Sequence, residues 1–321
     1  MVLAAGFGER MRPLSLLRAK PALPVLNRPL ILWTLDRLRQ NGIRDVVVNL
    51  HHLPESVMAA VGDGSGLGMR VEYSREKHIL GTGGGLARAR DLLGDGCVLV
   101  VNGDVLFDFD LRGLARRHAN EGAVATLALK PNPQPRRYSA VVASRRGRLL
   151  SLPPMQTAAG PISMFTGVHV LDTGLLDRLP RGASDSVRDL YVPALEDGRL
   201  LLGIRVRGAW DDLGSPRLYL ESQLRLLRRS PRGARPVHPE ARVDGRSSRS
   251  VLGAGAIVGG GARVVESVLW EGAEIGPDAC VHRCIVATGA RVPAGARLSG
   301  KLLVPAASGR ARRSETQVLR L

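Results

Sequence analysis

The last third of the chain carries a spacing that few folds accommodate. Leu252, Val258 and Val264 stand six residues apart, as do Leu269, Ile275 and Val281, and then Val286, Val292 and Leu298. Each triplet begins 17 residues after the one before it, and glycines with small or polar residues fill the gaps. Three hexads per coil predict a triangular β-helix, each coil stacking its aliphatic corners on the next. Cys280 and Cys284 fall among these coils and are expected to pack there as inert thiols.

Upstream the period is different. Val2 to Ala5 has the composition of a short buried strand, and Pro29 to Asn41 places Ile31, Leu35 and Leu38 at helical spacing before Gly42, a C-terminal cap. Val46 to Val48 reads as a second strand, Pro54 to Val61 as a second helix, and Cys97 to Val101 as a central strand. Ala123–Leu129, Ala140–Ala143 and Phe165–Leu171 add more sheet, and Ser215-Pro216 opens a helix with Leu220, Leu224 and Leu227 on its apolar face. Such alternation predicts an α/β fold, a doubly wound and mostly parallel sheet of Rossmann-like type, with ligands at the carboxyl ends of its strands. The expected domains are 1–228 for this α/β body, 229–236 for a Pro- and Arg-rich linker, 237–305 for the β-helix, and 306–321 for a basic tail without fixed structure.

Several stretches carry residue types suited to polyanion chemistry. Gly6-Phe7-Gly8 follows the first strand, and Arg10, Arg12 and Lys20 follow it. Two glycines one residue apart let the backbone turn sharply and present N–H groups to phosphate oxygens, although the same turn also occurs without a ligand. A dinucleotide fingerprint would need a third glycine where Met11 stands, and the Gly-Lys-Ser/Thr of a P-loop is absent. Leu80-Gly81-Thr82-Gly83-Gly84-Gly85 precedes an expected helix to Leu93, either leaving the first N–H groups open to an anion or base edge or forming a flexible loop. Asn102-Gly103-Asp104 ends the central strand, where a carboxylate can hold a hard cation or cap a turn. Asp108 and Asp110 are expected to face solvent, and His51-His52 reads as an ordinary polar strand end.

Together, Gly6-Phe7-Gly8-Glu9-Arg10-Met11-Arg12-Pro13-Leu14 and Ala19-Lys20-Pro21-Ala22-Leu23-Pro24-Val25 resemble the signature of the sugar-1-phosphate nucleotidyltransferases, or NDP-sugar pyrophosphorylases. One signature proline is lost, to Ala19. The resemblance implies transfer of a nucleotidyl group from an NTP to a sugar 1-phosphate, releasing pyrophosphate. It assigns Arg10 and Lys20 as catalytic: Arg10 neutralises the departing pyrophosphate, and Lys20 stabilises charge on the α-phosphoryl oxygens. Leu3, Ala4, Ala5, Gly6 and Gly8 would line the nucleotide, with Gly81 and Thr82 as base contacts. Asn102 and Gly167, the latter in Phe165-Thr166-Gly167-Val168, would approach the sugar phosphate. Asp104 becomes a Mg²⁺ ligand, and the pattern Trp-x-Asp-(Leu/Val/Thr)-Gly-(Ser/Thr) selects Asp212 over Asp211 as the second. Family members usually carry two or three residues ahead of the first strand.

The hexads resemble the left-handed hexapeptide-repeat tail of many of these enzymes. That tail and the Leu-Gly-Thr-Gly-Gly loop favour GTP with mannose 1-phosphate, in nucleotide-sugar synthesis for cell envelope polysaccharide. Uridylyl or thymidylyl transfer to another sugar 1-phosphate, such as that of N-acetylmuramate or glucose, is the alternative. A further one is an inactive NDP-sugar-binding paralogue that regulates a sister enzyme, although all four charged positions are kept. Acyl transfer by the tail is poorly served by about three coils and His282. Two departures concern the sugar side: Tyr138-Ser139 replaces the usual Tyr-Gly, and near Leu152-Pro153-Pro154 the Glu-Lys-Pro lysine is missing, so which lysine, if any, replaces it is open.

Composition narrows the partners. The formal charge of +17 would suit nucleic acid, but 42 of the 46 basic residues are scattered arginines and aromatics are only 3%, too few for base stacking. Anionic small substrates account for the positive field equally well. No apolar run approaches the ~20 residues of a membrane span, and no cleavable leader is visible. Three cysteines make neither a disulfide framework nor a zinc site, so a cytoplasmic enzyme is expected, assembled as a homo-oligomer through the β-helix.

Overall fold

The computed structural model describes residues 1–132, 134–155, 160–229, 234–306 and 316–321. The chain forms two compact units, neither continuous in sequence: Met1–Phe7 with Ile31–Asp211, and Gly8–Leu30 with Asp212–Leu321. The expected division near residue 228 is therefore not where the packing divides. The glycine-and-cation stretch and the helix from Ser215 belong with the β-helix.

The first unit is built on a nine-stranded sheet: β1 (Val2–Leu3), β2 (Asp45–Leu50), β3 (Arg70–Arg75), β4 (Cys97–Asn102), β5 (Ala125–Pro131), β6 (Val141–Ala143), β7 (Leu149–Ser151), β8 (Ile162–Asp172) and β9 (Leu201–Arg205). Its centre is four parallel strands in the order β4-β1-β2-β3, with Leu3 in register with Asn49 on one side and Asn102 on the other. From Val46 to Leu50, β2 is buried throughout, the continuous apolar run of a strand covered on both faces. The eleven-residue β8 runs antiparallel to β4, β5 and β6, so the parallel core is extended by an antiparallel flank. The chain leaves β1 towards β2 and β3 and returns on the other side at β4. The order thus reverses at β1, and the carboxyl ends of β1 and β4 make the crevice where such sheets bind ligands.

Helices α1 (Leu30–Gln40), α2 (Pro54–Val61), α3 (Gly81–Arg88) and α4 (Leu111–Glu121) cover the sheet. Gly42, at φ 91°, closes α1 as expected. The helix α4 is not announced by apolar spacing, because its sequence is mostly polar; Leu111, Leu114 and His118 supply its buried face. Asp110, exposed as expected, is its N-cap and accepts from Gly113 N at 2.9 Å. The core under the helices gathers Val47, Leu86, Val100, Leu127, Leu129 and Tyr191 among others. Among the described residues no helix is long and apolar enough to cross a membrane.

The second unit joins the Gly8–Leu30 stretch, α5 (Pro216–Arg229) and stacked parallel coils whose strands form three sheets, a left-handed hexapeptide β-helix. Strand pairs such as Val251↔Val268 and Val268↔Ile285 step by the expected 17 residues. The predicted corner residues Leu252 to Val292 are buried in one cluster, and Leu298 is half-buried at its end. Ser250, Ser267, Cys284 and Lys301 occupy one position in successive coils. Ser250 Oγ accepts from Ser267 N at 3.1 Å, Ser267 Oγ from Cys284 N at 3.0 Å, and Cys284 Sγ from Lys301 N at 3.4 Å. Burial pushes the Cys284 thiol's pKa up, which agrees with an inert role. The tail differs from expectation. Thr316–Arg320 pairs antiparallel with Lys301–Pro305, capping the open edge of the last coil, while 307–315 lie outside the described residues, as do 230–233 of the expected linker.

Candidate active site

In the first unit the expected residues converge at the carboxyl ends of β1 and β4. Gly103 N donates to Leu3 O at 2.8 Å, which sets Asn102-Gly103-Asp104 beside the start of Ala4-Ala5-Gly6. Gly6 is exposed, and a Cβ there would meet nothing within 4 Å, so its backbone borders open space. The Gly167 backbone, at φ 79° in the irregularity of β8 between Phe165 and His169, lies directly on Asn102. A Cβ at 167 would stand 2.5 Å from Asn102 Nδ2. The structure therefore brings Leu3, Ala4, Ala5, Gly6, Asn102, Asp104 and Gly167 to one end of one sheet.

The glycine-rich segment is arranged otherwise than expected. Gly81 begins α3, so the glycines form the helix's first turns and do not precede it. Gly83 N donates to Ser184 O at 2.9 Å and Gly84 N to the same oxygen at 3.4 Å, so these two amides are taken by the protein. The reason is steric: a Cβ at Gly81 or Gly84 would meet the carbonyl oxygens of Ser184 or Gly182 at 2.6 or 2.3 Å, and only glycine lets the two backbones touch. Thr82 Oγ1 accepts from Ser186 N at 2.8 Å and donates to Asp185 Oδ2 at 3.2 Å, so its hydroxyl is engaged by the protein.

In the second unit the cation-bearing stretch folds back on itself. Gly8, at φ 62°, packs against Ser15 and Lys20, with a Cβ there 3.5 Å from Lys20 Cβ, and Ser15 Oγ donates to Gly8 O at 2.8 Å. Lys20 is 7% exposed, whereas Arg10 is exposed. Asp212 lies in this unit at the approach to α5, and Asp211, 5% exposed, ends the other unit. The expected site residues are thus divided: Gly8, Arg10, Lys20 and Asp212 here, the rest in the first unit.

Comparison with known proteins decides the family. The nucleotidyl transferase model matches residues 1–229. This chain belongs to that family. A GlmU-like C-terminal hexapeptide model matches 238–302 of this nucleotidyl transferase. It is 32% identical to a mannose-1-phosphate guanylyltransferase of Mycobacterium tuberculosis over 298 residues, 92% of this chain and 81% of the relative. It is 28% identical to a UTP–glucose-1-phosphate uridylyltransferase of Synechocystis over 338 residues, 94% of this chain and 86% of the relative. A Bacillus anthracis structure, described as a candidate glucose-1-phosphate thymidylyltransferase with sucrose, shares the fold with TM-score 0.63 and 22% identity, covering 74% of this chain and 95% of that one.

Sequence reading missed the groups that tie the nucleotidyl transferase's site together. Asn49 Oδ1 accepts from Ala4 N at 2.7 Å, Asn49 Nδ2 donates to Glu76 Oε1 at 2.7 Å, and Glu76 Oε2 accepts from Leu80 N at 2.9 Å. Two buried polar side chains thereby connect the end of β1 to the start of α3, and Gly85 leaves room for both. Glu76 stands between Arg75 and Lys77 and looks like part of a solvated charge run; only the partners in space distinguish it. The cavity beside β8, about 360 Å³, is lined by Arg137, Tyr138, Ser139, Phe165 and Asp185, and among the described residues no lysine lines it.

Proposed function

We propose that this chain transfers a guanylyl group from GTP to mannose 1-phosphate, giving GDP-mannose and pyrophosphate. The nucleotidyltransferase class, an EC 2.7.7 activity, follows from the family. The observation that carries the site assignment is the convergence of Leu3–Gly6, Asn102, Asp104 and Gly167 at the reversal of strand order. The choice of base and sugar is supported by the guanylyltransferase names of relatives in Mycobacterium tuberculosis and Oryza sativa. The uridylyltransferase relative keeps the alternative of UTP with glucose 1-phosphate in view.

In this reading a sugar-phosphate oxygen attacks the α-phosphorus in line, and catalysis consists of positioning and charge neutralisation. Leu3 to Gly6 and Gly8 receive the nucleotide, and the backbone of Gly81 and Thr82 meets the base. Asn102 and Gly167 meet the sugar phosphate, and the cavity lined by Arg137 and Tyr138 takes the sugar, with Arg137 as its cation in place of the missing lysine. Lys20 stabilises charge on the α-phosphoryl oxygens, and Arg10 neutralises the departing pyrophosphate. Asp104 and Asp212 are each assigned to Mg²⁺. The donor chemistry fits, because carboxylate oxygens are hard ligands suited to a hard cation. Mg²⁺ usually keeps one or two carboxylates, with substrate phosphates and water completing its shell. When bound, it supplies charge neutralisation on the phosphates.

A pyrophosphate-release screen of four NTPs against a panel of sugar 1-phosphates tests the assignment. The greatest rate should fall to GTP with mannose 1-phosphate; a greater rate with UTP and glucose 1-phosphate would replace that choice. Asp104→Ala and Asp212→Ala should each lower turnover on the order of 10²-fold, and wild-type turnover in both would remove the metal assignment.

A further inference from the structure

Within the second unit, the loop that carries Lys20 is fastened to the β-helix by a chain of specific contacts. Arg18, two residues before Lys20, meets Glu271 as a fork: Nη1 reaches Oε1 at 3.3 Å and Nη2 reaches Oε2 at 3.1 Å. Thr288, one coil further on, accepts from Arg18 Nη2 at 3.2 Å and donates to Glu271 Oε2 at 3.1 Å. The Arg18 guanidinium also lies 5.2 Å from the ring centroid of Trp270. Trp270, 1% exposed, donates through Nε1 to Tyr219 Oη at 3.0 Å, and Tyr219 donates its hydroxyl to Pro24 O. Gln223 of α5 reaches the same carbonyl at 2.9 Å and accepts from Leu26 N at 2.8 Å. The residues on both sides of Lys20 are therefore held by one coil corner and one helix.

An isolated exposed ion pair contributes little. This one is bidentate, backed by an aromatic ring and partly covered, with the Arg18 side chain 26% exposed. Burial works to raise the Glu271 carboxyl's pKa, but Arg18 and the hydrogen bonds outweigh it and leave the pKa below the ordinary value. The stretch from Gly8 to Val25 has one short helical turn, two 3₁₀ turns and the two-residue strand Pro24–Val25, so little of it is regular structure. A group that stabilises transition-state charge must be held within about 0.5 Å of its productive position.

We propose that Glu271 and Trp270, on the β-helix, are positioning residues for Lys20, acting through Arg18 and through Tyr219 on Pro24. The tail is then part of the catalytic apparatus. This rests on the reading of Lys20 given under the proposed function.

The test uses the full chain and two readouts. The first is independent of activity: acetylation of lysine by an excess of N-hydroxysuccinimidyl acetate, followed residue by residue by mass spectrometry. The chain has only four lysines, and exposed Lys77 serves as the internal reference. Arg18→Ala and Glu271→Ala should each raise the Lys20 labelling rate relative to Lys77 about fivefold and lower kcat about tenfold, with KM changed less. The double variant should be no worse than either single, and the exchange Arg18→Glu with Glu271→Arg should recover part of kcat. Trp270→Phe and Glu271→Gln, milder changes, guard against loss of folding. Lys20 labelling within twofold of wild type in folded variants overturns the clamp. Raised labelling with unchanged kcat upholds the fastening of Lys20 but overturns the tail's part in catalysis. Should the wild-type chain release no pyrophosphate at all, the function reading fails and the labelling alone decides the clamp.

Discussion

At Gly167 a single missing Cβ decides whether Asn102 can stand where it does. Alanine there would put a methyl 2.5 Å from the Asn102 amide and hold a non-glycine residue at φ 79°. Such backbone strain costs about 1–2 kcal/mol. Gly167→Ala should raise KM for the sugar phosphate about tenfold through the displaced amide, and an unchanged KM in initial-rate measurements would show that Asn102 does not meet the substrate. Close by, His169 is 1% exposed between Phe165 and Tyr191. Burial, with a smaller contribution from the Met1 ammonium, lowers its pKa to about 3. The unfolded chain therefore binds a proton first as pH falls. Stability is fully present above the ordinary histidine value of about 6.5 and is lost between there and about 3, by up to about 1.4 kcal/mol per pH unit. His169→Leu should flatten this part of the unfolding curve; an equally steep acid dependence in the variant would assign the loss to other groups. Asn102 and Gly167 were legible because each sits in a short motif. Glu76 and Asn49 were not, because neither residue's neighbours in sequence reveal that it will be buried.

Among the elements, the β-helix was the most readable and its stabilising ladder the least. Hexad spacing reports the aliphatic corners, since each repeat turns through the same angle. The column of Ser250, Ser267 and Cys284 shows only when the coils are stacked. Ser267→Ala takes away the acceptor of Cys284 N in a wholly buried position. It should destabilise the chain by about 1–3 kcal/mol, seen as a lower thermal midpoint, whereas Cys284→Ser should keep the midpoint because a hydroxyl can accept from Lys301 N. Equal midpoints for wild type and Ser267→Ala would show that the ladder contributes nothing. Helix α3 shows the opposite balance. Its glycines read as an open loop, yet they are helical and packed on the Ser184 carbonyl, because glycine's small volume favours tight packing as readily as it favours a turn. Helix α4 escaped notice because its apolar face is only two leucines and a histidine wide.

For the molecule as a whole, the family model ending at residue 229 would make the chain look divisible there. The packing contradicts this, because Asn27 Nδ2 donates to Leu252 O at 2.7 Å and Arg18 to Glu271. A chain stopped after Arg229 should lose soluble yield and pyrophosphate release together, and a soluble, fully active truncation would refute that dependence. Periods and short motifs were available from the order of residues, because backbone geometry repeats locally and a phosphate loop needs its glycines and cations at fixed spacing. Those constraints were enough for the parallel sheet, the β-helix and the reaction class. Membership of the two units was not, because it depends on side chains such as Arg18 and Glu271, 253 residues apart, meeting with complementary shape and charge. Nothing local to either residue encodes the other's position.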